Sequence, residues 1–524
     1  MEAAQAEPTN KLLKSSAVVS GLTMLSRVLG LVRDVVMANF IGTGVNADPF
    51  FIAFKIPNFL RRLFAEGAFA QAFVPVLAEY KKQGSHAAVK ALIDRVCGCL
   101  GVSVLSVTVF AVVATPVVTA IFAFGYWDDP YEFALTTQFL RITFPYLFLI
   151  SMTGFAAAIL NSYGRFAIPA FTPVLLNITL ITAAVVISPY MDPPALALAW
   201  GVLVAGFVQL VFQLPFLFKL QLIPSPTVDW QHPGVKKIVN LMIPAMFGVS
   251  VSQINLLLDS SLSTLLISSS PSWLFYSDRM AELPLGVFAI AIATVILPSL
   301  SNEHLTENLK RFSETLSWAM RCVFLIGVPA AAALLVLAEP ILVTLFQSGE
   351  FTFRDTQMTA LSLRAYAVGT IAFMLIKVLA PGFFARQDTK TPVKIGIIAM
   401  FANMVLNVAF ALPLMFIGIG HVGLALATSL AAFINAGLLF RGLSKERVYQ
   451  HQPGWAMFWL RLSLATVAMV VLLLWLSRDW LSWQELPMWG RYLRLIPICA
   501  AGLGAYLLCL LASGMRPKDF KPPL

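Results

Sequence analysis

The stretches Ser26-Arg-Val-Leu-Gly-Leu-Val-Arg-Asp34 and Asp48-Pro-Phe-Phe-Ile-Ala-Phe-Lys-Ile-Pro-Asn-Phe-Leu-Arg-Arg62 decide how this chain is read. Each is a long apolar helical pattern that carries cations well inside it. One Arg at a bilayer centre costs roughly 2.5–3.5 kcal/mol on insertion scales, so Arg27, Arg33 and Arg61 together would cost on the order of 8–10 kcal/mol if all lay deep. Such charges persist only where they face a watery cavity or hold something anionic. Arg27 and Asp34 are seven residues apart and share a helical face, while Arg33 lies about 120° away. Gly30 offers a place for a bend that would bring it round. Lys55, Asn58 and Arg62 share one face of the second stretch, with Arg61 beside them.

Composition sets the frame around these stretches. Of 524 residues, 59% are hydrophobic and only 12% charged, with a mean hydropathy of +0.81. A soluble chain of this length needs far more polar surface, so an all-α polytopic membrane protein is expected. The 36 basic against 26 acidic residues give a net charge of +10. In such a chain this reads as cytoplasmic anchoring charge. No basic soluble domain exists to carry nucleic-acid binding. The five cysteines, Cys97, Cys99, Cys322, Cys499 and Cys509, lie in apolar segments without zinc spacing and read as small packing residues.

A span needs about 20 mostly apolar residues. Fourteen segments qualify: 12–41, 48–79, 91–123, 133–161, 168–189, 194–219, 237–268, 272–300, 313–346, 356–385, 391–415, 419–442, 455–477 and 489–513. Lys and Arg gather in alternate connections, such as Lys81/Lys82/Lys90, Lys236/Lys237 and Arg386/Lys390/Lys394. By the positive-inside rule, both termini are then cytoplasmic. Tryptophans 455, 459, 480, 483 and 489 cluster at the ends of the last two spans and read as an interfacial belt.

Short repeats divide the chain further. Ala195-Leu-Ala-Leu-Ala-Trp200 in span six returns as Gly423-Leu-Ala-Leu-Ala-Thr428 in span twelve, and three weaker matches follow in the same order. The expected organisation is a disordered stretch 1–9, an N-lobe 10–221, a C-lobe 222–447, an appended helix pair 448–514 and a tail 515–524. Six spans per lobe make the repeats parallel, the arrangement of a transporter with a central cavity.

The lobes differ in charge. The first carries more cations than anions, and converging Arg forks suit a diphosphate. Alternatively, these charges pair with each other for assembly or snorkel to the interface. In span eight, Asp278, Arg279 and Glu282 lie within one turn. Asp259, Asn403, Asn407 and Thr428 form an oxygen-rich, low-charge set suited to a monovalent cation, or else ordinary interhelical hydrogen bonding.

The chain resembles the MurJ (MviN) lipid II flippases of the multidrug/oligosaccharidyl-lipid/polysaccharide exporter superfamily. The stretches that carry this include Thr23-Met-Leu-Ser-Arg-Val-Leu-Gly30, Pro57-Asn-Phe-Leu-Arg-Arg-Leu-Phe-Ala-Glu-Gly-Ala-Phe69, Tyr276-Ser-Asp-Arg-Met-Ala-Glu282 and Lys377-Val-Leu-Ala-Pro-Gly-Phe-Phe-Ala-Arg-Gln-Asp-Thr-Lys-Thr-Pro392. The resemblance implies two six-helix lobes, with two last helices that form a groove for a polyprenyl tail. It implies substrate-binding arginines at Arg27, Arg33, Arg61 and Arg279, with Ser26 and Asn58 beside them. Asp34, Asp48, Lys55, Asp278 and Glu282 become cavity or gating charges. Some members have a sodium site, whose positions match Asp259, Asn403, Asn407 and Thr428; one is commonly Asp where this chain has Asn407.

The expected activity is therefore non-enzymatic. It is movement of undecaprenyl-diphosphate-linked muropeptide, lipid II, from the cytoplasmic to the periplasmic leaflet of a bacterial inner membrane. The membrane potential is the expected driver. Membrane lipids, and other cell-wall synthesis proteins, are the expected partners. The rival readings are a cation-coupled drug or O-antigen-type exporter of the same fold, and a non-transporting envelope scaffold. A drug exporter for cations should show an acidic cavity, which the arginines oppose.

Overall fold

Helix starts and stops are legible in local chemistry. Asp129 accepts from the N–H groups of Tyr131 (2.9 Å) and Glu132 (3.0 Å), with Pro130 at the first helical position. Thr352 and Asp355 form a reciprocal capping box. Gly42, with φ at 71°, ends the first long helix in the left-handed region. The computed structural model describes residues 3–62, 68–286, 290–305 and 308–516. Among them every regular element is helical.

The chain divides into two compact units, residues 1–268 and 269–524. The first holds α1 (Ala3–Ile41), α2 (Asp48–Arg61), α3 (Ala68–Gln83), α4 (His86–Val113), α5 (Thr115–Phe122), α6 (Pro130–Thr143), α7 (Pro145–Ser162), α8 (Ala167–Thr182), α9 (Leu196–Lys219) and α10 (Pro233–Ser263). The second holds α11 (Ser270–Pro284), α12 (Ile290–Leu305), α13 (Leu309–Leu345), α14 (Phe353–Phe384), α15 (Lys390–Met415), α16 (Gly420–Lys445), α17 (Trp455–Ser477) and α18 (Met488–Ala512).

Ten helical stretches among the described residues are long and apolar enough to cross a membrane: α4, α6 with α7, α8, α9, and α13 to α18. The other four predicted spans fall on α1, on α2 with α3, on α10, and on α11 with α12. Helix α1 begins at Ala3, inside the stretch that composition leaves unstructured, where Ala3, Ala4, Gln5 and Ala6 are good helix formers. Residues 517–524 of the expected tail lie outside the described residues. The compact units also differ from the repeat-based division at 221/222. Helix α10, the seventh predicted span, packs against α3, α2 and α4 and so belongs to the first unit.

In the first unit α1 lies on α8, and α7, α8 and α9 pack together. An aromatic core of Phe69, Phe73 and Phe155, with centroids 5.1–6.0 Å apart, joins α3 to α7. In the second unit α14, α15 and α16 approach closely. A Cβ on Gly423 would lie 2.7 Å from the Ala411 backbone, so this helix contact admits only glycine.

Helices α17 and α18 pack on α13. This corrects the interfacial-belt expectation for two residues. Trp483 is 2% exposed and Trp455 is 8% exposed, the latter packed edge-on against Phe324 and Phe458 with the Arg321 guanidinium 5.0 Å from its ring. Trp459 and Trp489 remain exposed. The Arg491 guanidinium ties the C-terminal end of α13 to the N-terminal end of α18. It donates to the carbonyls of Val343 (2.9 Å), Gln347 (2.6 Å), Trp483 (3.1 Å), Gln484 (2.9 Å) and Leu486 (3.1 Å).

Candidate functional site

A cavity of about 670 Å³ lies within the first unit. Helix α1 contributes Ser26 and Arg27 to its wall, and the end of α2 contributes Arg61 and Arg62. Their guanidinium groups have a polar room to face, which resolves the energetic difficulty posed by the sequence. Asn58 sets the angle of Arg61: its Oδ1 accepts from Arg61 Nε at 3.2 Å, while its Nδ2 donates to the Phe54 carbonyl at 3.1 Å. Among the described residues no Asp or Glu lines the cavity. What this wall can do is grip an anion.

Arg33 is elsewhere. It is 7% exposed, and its Nε and Nη2 both donate to Asp34 Oδ1, at 3.0 and 2.6 Å. Its Nη1 donates to Asn177 Oδ1 on α8 at 3.1 Å. Asn177 Nδ2 in turn donates to the Ser26 carbonyl at 2.9 Å. Arg33 is thus a member of a buried α1–α8 network that reaches the Ser26 carbonyl through Asn177. Helix α1 runs unbroken through Gly30. Gly30 shares the face of Ser26 and Arg33, and a Cβ there would make an ordinary contact with Asn177 Nδ2, at 3.8 Å.

Other expected charges bridge helices or are buried within their unit. Lys55 Nζ donates to Ser260 Oγ at 2.7 Å, and Arg62 Nη1 to Gln253 Oε1 at 3.1 Å, so α2 is held to α10. Asp48 is 1% exposed in the first turn of α2, where the helix dipole favours an anion. In the second unit Arg279 Nη1 meets Glu282 Oε2 at 3.2 Å, and its guanidinium lies 5.3 Å from the Phe275 ring centroid. Asp278 is half-buried beside it.

Of the four expected sodium ligands, Asp259 is buried on α10 of the first unit. Asn403 and Asn407 are buried one turn apart on α15, and Thr428 on α16 donates to the Leu424 carbonyl at 3.0 Å. The donor types, carboxylate, amide and hydroxyl oxygen, fit a hard monovalent cation. Among the described residues no group of three or more His, Cys, Asp or Glu side chains is placed to hold a metal ion.

Sequence reasoning passed over the neutral side of the cavity. Tyr146 and Thr153 on α7, Thr172 on α8, and Gln209 and Gln213 on α9 line it too. Gln209 and Gln213 are intramembrane amides one turn apart, the same signal that singled out Asn403 and Asn407.

Comparison with known proteins decides what bears this cavity. The family model described as "Lipid II flippase MurJ" matches residues 37–489. The chain belongs to the MurJ lipid II flippase family. A Vibrio cholerae relative described as "Probable lipid II flippase MurJ" is 49% identical over 520 residues, covering 98% of each chain. A Burkholderia cenocepacia relative described as "Lipid II flippase MurJ" is 41% identical, covering 91% of this chain and 93% of its own.

A solved structure described as "Lipid II flippase MurJ, inward closed conformation" is 26% identical, with a TM-score of 0.78 over 94% of this chain and 98% of that one. An inward-facing multidrug MATE transporter of the MOP superfamily, 15% identical with a TM-score of 0.64 over 82% of this chain and 98% of its own, shares the fold. In this MurJ-family chain Arg27, Arg61 and Arg62 lie on one cavity. The buried Arg33–Asp34–Asn177 network is the scaffold that fixes α1 beside it.

Proposed function

We infer that this chain is a lipid II flippase of the bacterial inner membrane, which moves the diphosphate-linked muropeptide from the cytoplasmic to the periplasmic leaflet. The observation that carries the reading is the cationic wall of Ser26, Arg27, Arg61 and Arg62 on a 670 Å³ cavity, in a chain of this family. Diphosphate oxygens accept forked N–H donors, and Asn58 has already oriented Arg61, so less rotamer freedom is lost on binding. No bond in the substrate is made or broken.

Lobe movement exposes the cavity to each leaflet in turn, and the groove along α17 and α18 takes the polyprenyl tail. Both termini are cytoplasmic. With the inside negative, the membrane potential favours outward movement of an anionic headgroup by about 2.3 kcal/mol per charge per 100 mV. Asn403, Asn407 and Thr428 of the second unit would offer oxygens to sodium in a coupled version of the cycle.

The experiment is reconstitution into vesicles with a fluorescent lipid II and an impermeant quencher. Wild type should flip the probe, and Arg27→Ala and Arg61→Ala should not, with equal folded protein in each sample. Flipping that survives both substitutions would overturn the reading. Flipping unchanged after the potential is collapsed would overturn its electrogenic form alone.

A further inference from the structure

The neutral wall of the cavity has a hydrogen-bond arithmetic of its own. Thr172 Oγ1 donates to the Ile168 carbonyl at 3.2 Å, so toward Gln213 it can only accept. The group that meets it at 3.0 Å is therefore the Gln213 amide N–H, which fixes the amide the other way round: Oε1 points away from Thr172. Gln213 is 0% exposed, and that Oε1 has no hydrogen-bond partner.

Its neighbours share the polarity. Gln209 donates through Nε2 to the Thr172 carbonyl at 3.1 Å and accepts from the Tyr146 hydroxyl at 3.4 Å. Thr153 donates to the Leu149 carbonyl at 2.8 Å. Every hydroxyl hydrogen of Tyr146, Thr153 and Thr172 is thus spent on protein, and what these side chains keep for the cavity is lone pairs.

A buried acceptor left without a donor keeps the full cost of its desolvation. Locally inconsistent positions of this kind are expected where function demands them. The opposing wall carries cationic donors and selects an anion. This wall carries neutral acceptors and selects donors.

We propose that Gln213, with Gln209 and Thr172 behind it, is a headgroup subsite that receives a hydroxyl or amide N–H donor from the sugar and peptide portion attached to the diphosphate. The subsite rests on the flippase reading and adds to it a second point of recognition. Because Gln213 is closed over in this conformation, engagement includes a small opening of the α8–α9 seam as the ligand enters. A bare polyprenyl diphosphate satisfies only the arginines; the glycosylated lipid satisfies both walls.

The test measures binding of two probes to purified full-length protein in nanodiscs: undecaprenyl diphosphate and lipid II. Gln213→Met keeps the length of the side chain and removes the acceptor, together with the N–H given to Thr172. It should weaken lipid II binding five- to tenfold, leave undecaprenyl diphosphate binding unchanged, and leave the unfolding temperature unchanged or higher. Gln213→Leu, read the same way, covers the case in which the Met variant folds poorly. Equal effects on both probes, or none on either, would overturn the subsite. If wild type binds neither probe, the flippase reading itself has failed, and that result is separable from the first.

Discussion

Lys55 and Ser260 are joined across α2 and α10, Nζ to Oγ at 2.7 Å, and seven residues along each helix in opposite directions Arg62 and Gln253 are joined at 3.1 Å. The two pairs define an antiparallel seam with clasps two turns apart. A hydrogen bond between membrane helices is worth on average about 0.6 kcal/mol. Lys55→Met and Ser260→Ala should therefore each weaken the folded state, and the double variant should cost less than their sum by about that amount. Denaturant unfolding of the four proteins in detergent measures the coupling. Additive losses would mean that the clasp contributes nothing.

Arg33 and Arg27 should separate in their response to substitution. Asp34→Ala leaves the buried Arg33 guanidinium without its carboxylate, and breaking a buried pair costs about 3 kcal/mol. The expected outcome is a lowered unfolding temperature, matched by Arg33→Ala. Arg27→Ala should leave the unfolding temperature within a degree or two while abolishing binding of a diphosphate lipid. An Arg33→Lys protein that is stable but fails to bind would place Arg33 among the binding residues after all.

These two arginines also mark where the sequence ceases to be informative. A cation in an apolar run is conspicuous, so Arg27, Arg33 and Arg61 stand out together. Only packing distinguishes them, because the face that α1 turns to α8 is marked by the hydrogen bond from Arg33 to Asn177, 144 residues apart in the chain. Gln209 and Gln213 were missed for the opposite reason: a neutral amide barely disturbs hydropathy, and its importance appears only once Thr172 fixes its orientation. Trp455 and Trp483 show the same limit, since belt and core positions read alike until α17 and α18 are laid on α13. The helices themselves were legible, because span length and capping chemistry are local.

Arg491 should matter more for stability than its position in the first turn of α18 suggests. Five backbone carbonyls accept from one guanidinium, among them Val343 at the end of α13, where the helix dipole is negative. Lysine keeps the charge but cannot span that fan of acceptors. Arg491→Lys should lower stability on the order of 2 kcal/mol, and Arg491→Ala should lower it further. Thermal unfolding in detergent is the check. An Arg491→Lys protein as stable as wild type would show that charge alone suffices.

Acid should act on the connection between α14 and α15, outside the spanning segments. Asp388 accepts from the Thr391 N–H at 3.0 Å. The side chain and N–H of Thr391 hold its carboxyl below the usual carboxylate range, with the Lys390 N–H and the Arg386 charge adding to the effect. A depressed folded-state value means stability that is fully present above the unfolded value of about 3.9 and is lost as pH falls through the lower, folded one. The difference in unfolding midpoint between wild type and Asp388→Asn should therefore hold steady from about pH 7 to pH 5 and shrink below about pH 4. The asparagine amide still offers an oxygen to the Thr391 N–H, so what disappears is the charged part of the cap. A difference that is the same at both ends of that range would show that Asp388 carries no charge-dependent stability.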